Sequence, residues 1–467
     1  MNQFRFVKEY LLPIVIGLIG ALFLYFYFSL SFYNRLSSEE FFFLNLLDTQ
    51  GGIYNSVRYV CSNWSARWSG LLYFYLLWGK ATNFLDINWI IVLHHSFTLL
   101  VLISSVYSLQ KKVIAKIGVV APNAFWQVCL AVLSTMIIFF AAPQLTDNWF
   151  WISSSVFHLQ SFVIALFAIS LVFNEKSNLL TYLLLVVSGI YIAGASELTA
   201  ILLIGSTSTF FVYSKIVKSS FVKLPFVMQK KMLVLYLLIG AGLGISLAAT
   251  GNQERLLSQP TLVDVVEPQS LAGIPIYFSE KNYTTLIDVL FTSKNCIVLV
   301  SFLLFLLLIP RVFQVKQSAH SIFVLKQLQR KLLVLLVISM AITFILNYFI
   351  FTKTLGPIRT WLLPSFLVVA FIWITLLKLG LQNERMAQVS IYALLPMCCI
   401  LWIGLFSYAK KHVPLAKNYA NSYDALLAQF CRSNDTKSTA KIELPNSGLL
   451  PYTPLTQEFV KQYHLCK

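Results

Sequence analysis

The chain has 467 residues, of which 58% are hydrophobic and only 11% charged, with a mean hydropathy of +0.75. A soluble domain carries roughly a quarter charged residues, so a soluble globular protein is excluded. The solid apolar runs also exclude an outer-membrane barrel, whose strands only alternate. The net charge of +17 does not mark a nucleic-acid partner, because Lys and Arg gather at the ends of apolar runs and form no groove-tracking stripe.

Taken in chain order, the apolar runs predict an all-α polytopic membrane protein with eleven spans, at 10–34, 87–110, 117–141, 149–173, 178–196, 198–214, 232–252, 293–313, 332–351, 361–378 and 387–409. The first run is too long for a signal-peptide core and lacks a small-residue cleavage site, so it is read as a retained helix. After it, Glu39–Leu47 (EEFFFLNLL) reads as a short helix lying at the membrane surface. Trp68–Trp78 (WSGLLYFYLLW) is too short to cross and suits an interfacial or re-entrant helix. The runs before and after Glu197 are each barely long enough to span, which predicts a tight helical hairpin with Glu197 at its tip. No internal repeat is evident. The expected organisation is a transmembrane domain over 1–408, with long outer loops at 35–86 and 250–294, followed by a small extracytoplasmic tail at 409–467 containing the Pro-rich stretch LPNSGLLPYTPL.

Charge fixes the expected orientation. With the N-terminus in the cytoplasm, the inner segments hold 18 basic residues and the outer loops before the tail hold 9, the positive-inside pattern. The acids were not used for that choice, yet 15 of the 18 fall outside, all but Glu9, Glu175 and Glu384. Among the seven cysteines no metal-ligand spacing occurs. Cys398 and Cys399 read as packing residues, and Cys431 and Cys466 either pair outside or stay as thiols.

Candidate site residues therefore come from the outer face. Glu39 and Glu40 are adjacent carboxylates at the head of the first outer loop. They are either a base or metal ligand, or a solvated helix start that favours the macrodipole. Asp48, eight residues on, is a second acid or a plain surface residue. Arg58, Trp64 and Arg67 offer a phosphate fork and a stacking ring, or else an ordinary aromatic belt with snorkelling Arg. Asp147 and Asn148 either cap the fourth span or hydrogen-bond sugar hydroxyls. His94, His95 and His158 read as satisfied core residues. Glu197 is a pocket group or a buried ion-pair partner. Gly251, Asn252 and Arg255 follow the seventh span, where Gly allows a sharp exit. Lys353 and Arg359 flank a short late loop, where they meet a lipid phosphate of a substrate or of bulk anionic lipid.

The order of these features resembles the GT-C class of membrane glycosyltransferases, and is most similar to bacterial polytopic enzymes of the O-antigen-modifying, serotype-converting glucosyltransferase kind. The resemblance covers the chain to about Tyr408. It implies a polyprenyl-phosphate-linked sugar donor, a glycan or lipid-linked acceptor at the extracytoplasmic face of a bacterial inner membrane, and an acidic base or metal ligand at Glu39 or Glu40. Many relatives have Asp there. A divalent cation such as Mg2+ or Mn2+ is a possible cofactor. Trp64, Arg67, Glu197, Gly251, Asn252 and Arg255 match the class's outer motifs, and Arg359 its late donor-phosphate residue. The competing expectations are a transporter or flippase of a lipid-linked or anionic solute, and a surface-polysaccharide polymerase or ligase.

Overall fold

The computed structural model describes residues 12–80, 85–118, 124–142, 145–174, 178–216, 226–251, 293–312, 319–346, 361–382, 384–432, 444–447 and 449–451. Asn252, Arg255, Lys353 and Arg359 lie outside them, as does Cys466. Every regular element among the described residues is helical. Eight helices are long and apolar enough to cross a bilayer: α1 (Leu12–Tyr33), α5 (Ile87–Ile117), α6 (Ala124–Ala141), α7 (Ile152–Val172), α10 (Phe226–Ala248), α12 (Ala319–Ile345), α13 (Leu362–Gln382) and α14 (Glu384–Arg432). The expected fifth and sixth spans are α8 (Leu179–Ala195) and α9 (Glu197–Ile216), a pair bent by 120° at Ser196. The expected eighth is α11 (Ser293–Val312), whose apolar part is shorter, Lys294–Leu308. Between α1 and α5 lie three short helices, α2 (Ser38–Thr49), α3 (Ile53–Asn63) and α4 (Trp68–Phe74), the last running into a π-helical stretch at Tyr75–Lys80. None of the three is long enough to cross.

Lipid is as apolar as leucine, so burial alone does not hold such helices together; close packing and interhelical hydrogen bonds do. The packing is aromatic. Phe23 and Tyr27 of α1 meet Phe139 of α6 edge-on at 5.4 and 5.7 Å, and Phe26 meets Tyr408 of α14 edge-on at 5.5 Å. Each such pair adds about 0.5–1.5 kcal/mol beyond its area. The hydrogen bonds are buried and specific. His95 Nδ1 lies 2.9 Å from Ser31 Oγ, and His94 sits between Tyr73 Oη at 3.1 Å and Ser155 Oγ at 3.0 Å. His94 thus has a partner at each ring nitrogen, whereas His95 is held through Nδ1 and its buried Nε2 has no partner among the described residues; together they pin α5 to α1, α4 and α7.

Helix α14 does not end near residue 409. It continues to Arg432, because the charged residues after Tyr408 end the apolar run without breaking the helix. Its far part packs along α1, and Arg35, just beyond the end of α1, grips Asp424 in a fork, with Nε to Oδ1 at 2.8 Å and NH2 to Oδ2 at 2.5 Å. Leu444 and Leu450 return to the same core and are buried in it. Cys431 is disulfide-bonded.

The expected capping of the fourth span by Asp147 and Asn148 is not what forms. Thr146–Phe150 is a π-helical turn, and the chain breaks to an extended residue at Trp151 (φ −74°, ψ 110°) before α7 begins. The cap comes from Glu40. Its Oε1 accepts from Ser153 N at 2.6 Å and Ser153 Oγ at 2.5 Å, at the first turn of α7. Its Oε2 accepts from Ser37 N at 2.5 Å and from the Ser37 hydroxyl, the capping box of α2. One buried carboxylate thus closes the orphan donors of two helix starts. Replacing it leaves buried N–H groups unpaired, at about 1–3 kcal/mol each. Glu40→Ala should therefore lower the melting temperature in detergent sharply, and Glu40→Gln, which brings a donor to face donors, should lower it too. Glu39→Gln, measured alongside, should leave it nearly unchanged.

Candidate functional site

Arg67, Trp64 and Glu197 converge although they come from separate parts of the chain. Helix α3 ends at Trp64, whose N–H reaches Val60 O at 2.8 Å, and the chain then turns a corner through Ser65, Ala66 and Arg67 into α4. The tip of the α8–α9 hairpin docks under this corner. Gly194 lies against the indole of Trp68 so closely that a Cβ would overlap the ring. Ser69 Oγ donates to Tyr191 O at 2.8 Å. The end of α10 closes the third side. Ser246 Oγ lies 3.3 Å from both Ala66 O and Ala193 O, and Thr250 Oγ1 donates to Ser62 O at 3.0 Å. Gly251 packs onto the backbone at Cys61 O and Trp64 N, where a side chain has no room. This glycine is read from sequence as a sharp exit from a span; what the structure requires of it is close backbone approach.

At the centre, the Arg67 guanidinium lies over the Phe157 ring, 5.2 Å from its centroid, a cation–π contact. Arg67 Nε and Glu197 Oε1 are both buried, and neither has a hydrogen-bond partner among the described residues. Other buried polar atoms among the described residues also have no partner, Ser154 Oγ, Ser161 Oγ and Ser206 Oγ among them; what sets these two apart is that they belong to side chains of opposite charge. Glu197 opens α9, beyond the hinge residue Ser196. Its charge also reaches Cys61. Burial first, and then Glu197, push the Cys61 thiol up to about 11.

Helix α2 supplies the fourth side. Glu39 shares a helix face with Phe42 and Phe43, three and four residues on. Phe42 packs on Trp64 (6.3 Å between centroids) and Phe43 edge-on against Phe157 (6.1 Å), the ring beneath Arg67. Glu39 is therefore one turn from the rings that carry the Arg67 cluster, and is half-buried. Glu40 faces α7 instead, its four acceptor positions taken by Ser37 and Ser153. Two groupings result. The hairpin tip that carries Glu197 docks under the corner that carries Trp64 and Arg67, and Glu39 lies one helical turn from the rings that pack beneath it. Asp147 and Asn148, on the π turn Thr146–Phe150, lie on the Glu40 side, next to Phe150, whose carbonyl accepts from Asn34 Nδ2 at 2.6 Å. Asp48 is exposed at the far end of α2, and Arg58 is exposed on the outer face of α3. His158 is half-buried in the π turn Ser155–Leu159.

Sequence reasoning missed Cys61, Phe157 and Ser153. Nothing in the local sequence distinguishes these residues from their neighbours. The divalent cation that the resemblance raises finds no cradle among the described residues: no three His, Cys, Asp or Glu side chains are grouped to hold a metal, and Glu40 is saturated by serine donors.

The Glu197–Cys61 pairing is testable by thiol labelling in a variant whose other free cysteines are replaced. A thiol that titrates near 11 is ionised in only about one molecule in a thousand at pH 8, against about a quarter for a free cysteine. Maleimide labelling of Cys61 should thus be slow, and should rise about tenfold per pH unit from 7 to 10. Glu197→Gln removes a charge that opposes the thiolate, so it should speed labelling at fixed pH; an unchanged rate would separate the two residues. No family model, no curated protein and no solved structure matches this chain.

Proposed function

We propose that the chain is a membrane glycosyltransferase that moves a sugar from a polyprenyl phosphate to an acceptor hydroxyl at the extracytoplasmic face. The observation that carries this reading is the docking of the Glu197 tip under the corner that holds Trp64 and Arg67, with buried polar atoms on Arg67 and Glu197 that have no partner among the described residues, and with Glu39 one turn from the rings beneath.

The sidedness has its own support. The Arg35–Asp424 fork ties the end of α1 to the far part of α14, so α2, α3 and α4 share a side with Cys431. A disulfide at Cys431 belongs to an oxidising compartment. The positive-inside count points the same way. The 120° bend at Ser196 turns α9 back toward the side from which α8 came, which suits a hairpin whose Glu197 tip stays outside.

In the proposed reaction the acceptor oxygen forms a bond to the anomeric carbon as the bond from that carbon to the phosphate oxygen breaks. The acceptor proton passes to Glu39, whereas the lone pairs of Glu40 are engaged by serine donors. Negative charge grows on the departing phosphate, and a fixed guanidinium stabilises it in the transition state. Arg67 takes that part from the described residues, with Arg255 and Arg359 expected to share it. Glu197 accepts from a sugar or acceptor hydroxyl and orients it. Trp64 offers a ring face to the sugar. No step is routed through a metal.

A transporter is the second reading, because a helix pair broken as at Ser196 is also how carriers build a substrate site. The test separates the two. In nanodiscs with a polyprenyl-phosphate hexose, wild type should consume the donor. Glu39→Gln and Arg67→Gln should each lower turnover by about a hundredfold or more with melting temperatures retained. Undiminished turnover in Glu39→Gln would remove the base assignment. Donor left intact, but moved across the bilayer of a liposome, would favour transport.

A further inference from the structure

The exposed face of α5 marks where the bilayer lies. Trp89 stands near the start of that helix, 55% exposed, with Phe32 of α1 edge-on to it at 5.7 Å. Lys111 follows 22 positions later on the same face and is also exposed. Leu93, Phe97 and Leu100 are exposed between them. At the rise of an α-helix, Trp89 and Lys111 are about 33 Å apart. That matches a hydrocarbon core of about 30 Å with an aromatic ring at one boundary and a cation at the other. Trp89 therefore marks the boundary on the side of α2, α3 and α4.

Helix α4 lies below that mark. His94 is five residues past Trp89, about 7 Å deeper, and two side chains of the α4 region reach it. Tyr73 Oη is 3.1 Å from His94 Nδ1, and the Trp78 indole meets the His94 ring edge-on at 5.4 Å. Two other helices give the same level. Gly70 packs so closely on Phe157, five residues into α7, that a Cβ would overlap the ring. Gly70 also lies against Ala195, the last residue of α8. That helix has 17 residues, about 26 Å, which falls short of a full crossing. So α4 runs crosswise from the end of α8, over α7, to α5, inside the boundary. Its sides fit that depth. Phe74 packs edge-on against Phe43 of α2 at 5.8 Å, and Tyr73 against Tyr191 of α8 at 5.8 Å. Leu72 and Leu76, four residues apart, are left 41% and 52% exposed. They stand at the level of Leu93 beside His94 and of Ile190 beside Tyr191, both exposed. Helix α5 is a membrane span, so its exposed Leu93 meets acyl chains, and the same medium bathes Leu72 and Leu76 at the same depth.

We propose that α4 is a re-entrant helix sunk about 7 Å into the near leaflet, with its Leu72 and Leu76 edge in contact with lipid acyl chains. The corner that carries Arg67, at the start of α4, then lies beneath the headgroup plane together with the Glu197 tip. This placement does not rest on the transferase reading. The test uses nitroxide labels at Leu72→Cys and Leu76→Cys, each in a variant whose other free cysteines are replaced, in lipid nanodiscs. Labels at Leu93→Cys, on α5, and at Tyr54→Cys, exposed on α3, are the references. Oxygen concentrates in hydrocarbon and a nickel chelate stays in water. Power saturation should give both α4 labels the oxygen-dominated profile of Leu93→Cys, and give Tyr54→Cys a nickel-dominated one. A nickel-dominated profile at either α4 position overturns the proposal. So does weak access to both reagents, which would put protein against this edge. A label-free check is Leu76→Asp, which sets an acid at hydrocarbon depth and should lower the melting temperature in nanodiscs by several degrees. Tyr54→Asp should leave it unchanged, and equal melting temperatures for the two variants count against the placement. Donor turnover by a protein whose α4 labels face water removes the re-entrant helix and leaves the transferase reading standing. Oxygen-dominated labels in a protein that consumes no donor do the reverse.

Discussion

The carboxylate of Glu40 holds the extramembrane part of this protein to its helical bundle. An ionised group at zero exposure is costly unless its lone pairs are met, and here they are met twice over, by the first turn of α2 and the first turn of α7. Glu40 and Ser153 are 113 residues apart in sequence. With both helix starts fixed to one side chain, α2 cannot slide on the bundle, and the rings it carries, Phe42 and Phe43, meet Trp64 and Phe157 in one register only. Removing the carboxylate would free the face on which Glu39 sits.

The three-sided corner around Arg67 shows how small residues locate large ones. Gly194, Gly251 and Ser246 let three backbones approach so closely that carbonyls of one are within reach of the side chains of the next. The larger groups, Trp68, Phe157 and the Arg67 guanidinium, then have single places to go. Glu197 inherits its position from the break at Ser196, where a residue of extended conformation interrupts the helix pair. The corner is thus rigid where it is apolar, and the polar atoms left unpaired within it, on Arg67 and Glu197, sit on supports that do not give.

Much of the bundle was legible because apolar runs of lipid-spanning length have few other uses. All eight long spans coincide with runs visible in the sequence, whereas the two short runs around Glu197, read there as two separate spans, form a pair bent by 120° at Ser196. Boundaries were less legible, since a helix persists after its apolar face ends. Charges after Tyr408 hide the last part of α14, and those before Leu332 hide the start of α12. Of the site, Trp64, Arg67 and Glu197 were visible as unusual residues at expected outer positions, and the structure docks the hairpin tip that carries Glu197 under the corner that carries the other two. That Glu40 caps two helices was not visible. It depends on Ser153, 113 positions away, and no local pattern encodes that partner. The π turns at Tyr75–Lys80, Thr146–Phe150 and Ser155–Leu159 were also hidden, because one extra residue per turn leaves no mark on hydropathy.

Those extra residues set angular phase. An α-helix advances about 100° per residue, so the residue inserted at Ser155–Leu159 turns everything after it in α7 by that amount. With the insertion, the side chain of Gln160 meets the Tyr191 phenol at 2.9 Å; without it, the same amide would be swung round the helix axis, away from that partner. A chain shortened by one residue at that turn would keep its hydropathy and every motif named above, yet would present a different set of side chains to the hairpin. In this protein, counting residues along α7 matters as much as identifying them.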